Sequence, residues 1–310
     1  MSNYKIGDIL ANKYIIEQVL SPGAFGNAYK VRDRITGDIL VLKYIKDKTV
    51  QTLFEQVIIK LQNLKDVPHI LYYHGYSFDP NGSMMLLTRY CNGGSLKDYI
   101  KQREKIDEQG ALDIIKQITS AIEYAHSFVP PIFHGDIRPD NIFGQIDKDN
   151  KITWYISDWG FADVMKKALS GLPQSSFPYT APEAFTGEEY RASEVYSLGM
   201  VLYHMLYGHP AFTAQTKAEY IQCHRKNPVR IPTSASPSVE NILIRTLKKN
   251  YKTRLGIYDL IKAIDNPQVA SSGNIDHFRE LKELDNKVSF YLYMIIPIII
   301  AVIILVLLMR

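Results

Sequence analysis

Between residues 12 and 45 apolar and polar positions alternate in short runs separated by turn residues. TyrIleIleGluGlnValLeu, AsnAlaTyrLysValArgAsp and IleLeuValLeuLysTyrIle read as three strands, with IleThrGlyAsp at 35–38 as a hairpin turn between the last two. The period then changes. Leu53, Phe54, Val57, Ile58, Leu61 and Leu64 recur at helical spacing, so 50–64 is predicted to be a helix with one broad apolar face. Two more strands are expected near 71–77 and 83–88, on either side of the AspProAsnGly turn at 79–82. Beyond CysAsnGlyGly at 91–94 the pattern is mostly helical, over 95–102, 109–128, 192–207, 216–223, 237–248 and 256–265. The expected class is therefore α+β, with strands and one helix followed by a helical body. No internal repeat or low-complexity tract interrupts this order.

Composition changes the picture only at one end. The apolar share of 46% against 22% charged residues is that of a globular chain, so disorder is not the default. A net charge of +4, with no arginine- or lysine-rich stripe, gives no reason to expect a nucleic-acid partner. Cys91 and Cys223 form neither a disulfide framework nor a zinc spacing, and fit a reducing compartment. The polar N-terminus lacks the apolar region of a signal peptide. Residues 288–309, by contrast, carry no charge, and as a helix they would extend roughly 33 Å, close to the hydrocarbon thickness of a bilayer. Tyr291 and Tyr293 stand at one end beside Lys287, Pro297 is tolerable within a span, and only Arg310 follows. A buried core helix would seldom stay uncharged on every face for so long. The expectation is a membrane partner: a single-pass tail anchor at 288–309, a polar tether of mixed charge at 267–287, and the rest of the chain in the cytosol.

The chemistry is concentrated in HisGlyAspIleArgProAspAsn at 134–141 and AspTrpGly at 158–160, the latter preceded by a strand-like TrpTyrIleSer. Asp136, the amide oxygen of Asn141 five residues on, and Asp158 at a strand end form the set that phosphoryl transfer from a metal-bound nucleotide requires. One group must orient or deprotonate the acceptor hydroxyl, and two must hold metal against phosphates.

At these residues the chain resembles the eukaryotic-type protein kinase superfamily, with a Ser/Thr-like catalytic loop, over about residues 8–266. The resemblance implies a bilobal fold, a small β lobe with one helix and a large helical lobe. It implies ATP and Mg2+ (or Mn2+) as cofactors and a protein as substrate. Asp136 would be the catalytic base, Arg138 would stand in for the usual lysine, and Asn141 and Asp158 would hold metal. Lys43, in LeuValLeuLys on the third strand, would contact phosphate. Leu20, Ser21, Gly23, Phe25 and Gly26 would cover the nucleotide, glycines there letting backbone amides approach phosphate oxygens. Ala28, Val41 and Phe143 would sandwich the adenine. Thr88 would be the gatekeeper, the Arg89 carbonyl and Cys91 amide would face the base, and Ser95 would take the ribose side. Downstream, SerSerPheProTyrThrAlaProGlu at 175–183 resembles the end of an activation segment, and 193–212 resembles the core helix of the large lobe. Arg254 is the expected ion-pair partner of Glu183.

The departures carry as much information. The helix glutamate that pairs with the strand lysine is replaced by Val57, and Glu55, about 200° around the helix, should face elsewhere. Ser21 replaces a glycine, and Trp159 a phenylalanine. Gly135 replaces the arginine that would bind an activation-loop phosphate, so activation by loop phosphorylation is not expected to be required. Glu194 stands where an aspartate would buttress the catalytic loop. Three readings remain open from the sequence: an active membrane-tethered protein kinase acting on Ser/Thr hydroxyls, a pseudokinase scaffold at a membrane, and a small-molecule kinase of the aminoglycoside- or choline-kinase type. The last shares HisGlyAsp and AspTrp, but AlaProGlu at 181–183 is not expected of it.

Overall fold

The computed structural model describes residues 4–22, 26–169 and 171–266, so Gly23, Phe25, the tether at 267–287 and the span at 288–309 lie outside the described residues. The strands β1 (Ile9–Leu10), β2 (Tyr14–Pro22), β3 (Gly26–Asp33) and β4 (Ile39–Ile45) pair in chain order. Next comes the helix α1 (Lys48–Leu61), then β5 (Gly75–Phe78) and β6 (Met84–Arg89), with β6 inserted between β4 and β5. Every neighbouring pair in this six-stranded sheet is antiparallel.

Strand period two sorts this sheet into two faces. On the outer face Tyr29, Val31, Leu42, Tyr44, Met85 and Leu87 form a buried cluster with Leu10, Tyr14 and Ile16. On the other face the register sets Ala28 opposite Lys43, Lys43 opposite Leu86, and Val41 opposite Thr88. Gly26 fits here because a Cβ on it would come within 1.8 Å of the Tyr44 carbonyl oxygen.

Helix α1 starts at Asp47, whose carboxylate accepts from the Thr49 and Val50 N–H groups. Its buried stripe is Val50, Gln51, Phe54, Val57, Ile58 and Leu61, as the spacing of apolar residues requires. The buried Gln51 amide donates to the carbonyls of Ile45 (2.8 Å) and Gly82 (3.1 Å), tying the helix to β4 and to the 79–82 turn.

The large lobe contains α2 (Leu96–Arg103), α3 (Glu108–His126), the hairpin β7 (Ile142–Ile146) and β8 (Ile152–Ile156), and α4 (Phe161–Leu169). It continues through α5 (Arg191–Tyr207), α6 (Lys217–Lys226), α7 (Pro237–Thr246) and α8 (Ile257–Asp265). α5 is the core of this lobe, buried on nearly every face, and a Cβ on Gly199 would sit 2.5 Å from Thr246 Oγ1 of α7. Among the described residues no helix is long and apolar enough to cross a membrane.

Two elements differ from the sequence pattern. The strand expected from residue 71 begins only at Gly75. The apolar residues before it turn to the large lobe, where Leu71 N–H donates to the Ile156 carbonyl and Ile156 N–H to that of His69 (2.9 and 2.8 Å). Helix α4 was not expected. It directly follows AspTrpGly, and its Ala162, Val164 and Met165 are buried.

Candidate active site

The loop at 134–141 is held from below. The Glu194 carboxylate on α5 accepts from the backbone N–H groups of His134 (2.6 Å) and Gly135 (2.8 Å) and from His126 Nε2 (2.6 Å). Burial raises its pKa, but these hydrogen bonds and the neighbouring histidines outweigh burial and hold it below the usual carboxylate range. A glutamate thus performs the bracing expected of an aspartate. His134 braces the other side: its Nδ1 accepts from Asp136 N–H (3.1 Å), which leaves Nε2 to donate to the Ser157 carbonyl (2.6 Å). Trp159 is buried edge-on against His134, with ring centroids 5.0 Å apart.

Asp136 is buried, and its carboxylate accepts from Asn141 Nδ2 (3.1 Å), which also donates to the Asp136 carbonyl (2.8 Å). Arg138 lies between two carboxylates, 3.3 Å from Asp136 Oδ2 and 3.6 Å from Asp140 Oδ2. Lys97 of α2 pairs with the other Asp140 oxygen at 2.8 Å, a contact the sequence did not suggest.

Lys43 and Asp158 meet directly, the ammonium donating to Asp158 Oδ1. Asp158 adopts a left-handed backbone (φ +66°), which aspartate tolerates better than most residues. Lys43 Nζ also lies 4.3 Å from the centre of the Phe161 ring, which packs against Phe54 of α1 with centroids 4.5 Å apart. Val57 faces this junction: a Cβ on Gly160 would come within 2.0 Å of Val57 Cγ1. No acid therefore stands on the inner face of α1 to take Lys43.

Gly135, with φ +76°, leaves no room for a side chain. A Cβ there would meet Ala162 of α4 at 2.8 Å and Glu189 Oε1 at 3.0 Å. Helix α4 occupies the space an arginine would need, and Lys166 of α4 forms an ion pair with Glu189. The expected Glu183–Arg254 pair is present and bidentate, at 2.6 and 3.1 Å, with Ser193 Oγ donating to the same carboxylate (2.7 Å).

The nucleotide side is assembled by strand register. Ala28, Val41, Lys43 and Thr88 share the inner face of the sheet, and Phe143 bridges to Ser95 where β7 meets the segment after the hinge. Thr88 is buried, its hydroxyl donating to the Tyr72 carbonyl (3.1 Å), and Cys91 is buried with burial pushing its thiol up. Leu20 and Arg89 are exposed at the rim, and the Arg89 guanidinium lies 4.3 Å above the Tyr155 ring. Ser95 Oγ donates to Asp98 Oδ2 (2.6 Å) and accepts from Asp98 N–H (3.1 Å), so this hydroxyl caps α2.

These residues fit a metal that arrives with phosphate. With its Nδ2 committed to Asp136, Asn141 keeps its side-chain oxygen for a ligand, and Asp158 supplies carboxylate oxygen. Both are hard donors of the kind Mg2+ prefers, usually completed by phosphates and water. Among the described residues no cluster of three His, Cys, Asp or Glu side chains forms a self-sufficient metal cage.

A family model described as "Protein kinase domain" matches residues 14–264. The chain belongs to the protein kinase domain family. It is 28% identical to calcium-dependent protein kinase 5 of Plasmodium falciparum (isolate 3D7), over 82% of this chain and 45% of that protein. It is 28% identical to the probable serine/threonine-protein kinase zyg-1 of Caenorhabditis briggsae, over 94% of this chain and 39% of that protein. Identity to the probable serine/threonine-protein kinase nek2 of Dictyostelium discoideum is also 28%, over 81% of this chain and 62% of that protein. The chain thus spans less than two thirds of the length of these relatives.

Proposed function

We propose that this protein is a membrane-tethered protein kinase that transfers the γ-phosphate of ATP, with Mg2+, to Ser/Thr hydroxyls of proteins. The observation that carries the reading is the Asp136–Asn141 pair, one hydrogen-bonded unit that joins the catalytic carboxylate to a metal-facing amide oxygen. Asp136 would orient the acceptor hydroxyl and take its proton. Arg138, 3.3 Å from the same carboxylate, keeps a positive charge beside the transferring phosphoryl group. Mg2+, when bound, offsets the charge on the phosphate oxygens. Lys43 holds phosphate, and Glu194 keeps the catalytic loop fixed beneath it. Ser/Thr specificity is supported by Arg138 followed by Pro139, a Ser/Thr-like loop, and by relatives named serine/threonine-protein kinases. Incubation of the purified chain with radiolabelled ATP and a protein substrate, then phosphoamino-acid analysis, tests it. Phosphoserine or phosphothreonine is expected, and phosphotyrosine alone would refute the specificity.

The membrane tether rests on the uncharged stretch 288–309 and the polar 267–287 before it. Residues 8–266 form the kinase domain in this reading and face the cytosol, where ATP is available. The full chain should remain in membranes through alkaline carbonate extraction, and a version ending at Lys287 should not.

One feature favours a second reading, a nucleotide-binding scaffold of low catalytic power. Lys43 is engaged by Asp158, and Val57 offers it no carboxylate. Mg·ATP binding without detectable phosphate transfer would support that reading.

A further inference from the structure

Tyr73 lies between α1 and β5 and is 8% exposed, yet its hydroxyl has no hydrogen-bond partner. A buried hydroxyl left unpaired is uncommon enough to need an explanation. Its ring packs against Phe161, with centroids 6.1 Å apart, and Phe161 in turn lies beneath the Lys43 ammonium. Burial pushes the phenol pKa up, and the negative charge of Asp158 adds to that rise. The Phe161 N–H donates to the Asp158 carbonyl (3.1 Å), so the unpaired hydroxyl belongs to a ring packed on the residue that closes the Asp158 turn.

Asp158 takes its hydrogen bond from Lys43. Lys43 cannot keep that geometry and also turn to phosphate. A glutamate on α1 would normally divide the work, but Val57 cannot. Once Lys43 leaves, Asp158 needs another donor to hold its carboxylate plane. We propose that Tyr73 is a positioning residue for the metal–nucleotide complex, its hydroxyl donating to Asp158 when Lys43 moves to phosphate. The inference rests on the nucleotide-binding reading above. It also accounts for a polar hydroxyl kept buried and unpaired against the Phe161 ring. Ser157 Oγ is likewise buried and unpaired, and serves as the control donor.

The test uses the full-length chain in mild detergent and a non-hydrolysable ATP analogue, with and without Mg2+. Tyr73→Phe should leave the melting temperature of the nucleotide-free protein unchanged or slightly raised, because it removes only an unpaired hydroxyl. It should weaken binding of the Mg2+-loaded analogue about tenfold, the size of one hydrogen bond to a charged group, and leave metal-free binding untouched. Ser157→Ala should not reproduce this split. The proposal is overturned if Tyr73→Phe binds the loaded analogue like wild type, or loses affinity equally with and without metal. It is also overturned if the variant melts lower without nucleotide, or if Ser157→Ala alone shows the split. Absence of wild-type binding would defeat the nucleotide reading itself, and Tyr73 with it.

Discussion

Lys43 donates to Asp158 across 115 residues of chain, so the cation proposed to contact phosphate and the carboxylate proposed to hold metal neutralise one another. The pair is partly buried, both side chains being about a fifth exposed. A nucleotide with its metal must separate them, and the work of separation is subtracted from binding. Nucleotide affinity should therefore depend on what else Lys43 can pair with.

Val57→Glu supplies the missing alternative. A carboxylate on the inner face of α1 would draw Lys43 from Asp158 and free the latter for metal. Phosphate transfer should rise severalfold, and the Mg2+ concentration for half-maximal activity should fall. The cost is a charge placed against Gly160, so nucleotide-free stability should drop by about 1–3 kcal/mol. A folded variant with unchanged Mg2+ dependence would count against the argument.

Stability should decline with acid well before carboxylates titrate. Burial, aided by His209, lowers His204 to about 4, and burial, aided by Lys249, lowers His224 to about 3. As pH falls below about 6.5 the unfolded chain binds protons that these folded histidines refuse, so unfolding is progressively favoured down to about pH 4 for His204 and about pH 3 for His224. Glu183 and Glu194, whose pKa values are lowered, act later: their contribution is present above about pH 4.5 and is lost below it. Urea midpoints measured from pH 7.5 to 5 should fall steadily, and His224→Gln should flatten the slope. A wild-type midpoint constant over that range would contradict the assignment.

Arg254→Ala should be far more damaging than a surface change. It strands the buried Glu183 carboxylate and removes the link to the Ala192 carbonyl (2.7 Å), at a cost of about 3–5 kcal/mol. In a domain of this size that corresponds to a melting point lower by roughly 10 °C. Arg254→Lys should recover only part, since one ammonium cannot match a bidentate fork. Thermal denaturation of the three proteins decides the matter.

Much of this architecture was readable in the sequence, for reasons particular to each element. The apolar, strand-like run IleLeuValLeuLysTyrIle placed Lys43 on a strand, and the helical spacing around Phe54 put Val57 inward. The strand expected from residue 71 was mis-started because an apolar run does not reveal its partner. Leu71 bonds to β8, 85 residues away, and not to β6. Helix α4 escaped notice because nine residues give a weak periodic signal, and Lys166 finds Glu189 only in three dimensions. The sequence exposed the absence at Val57 but not its consequence. Which acid Lys43 would choose instead depends on the turn at Asp158, and local patterning carries no information about that.

Asp136 offers the most direct test of phosphate transfer. Asp136→Asn preserves shape and the contact with Asn141 while removing the group proposed to take the acceptor proton. The measurement is phosphate transfer from Mg·ATP to a protein substrate, made beside nucleotide affinity in the same preparation. Transfer by the variant should fall at least a hundredfold, while Mg·ATP should bind within about twofold of wild type. Equal transfer by the two proteins, or none by either, would contradict the role proposed for Asp136.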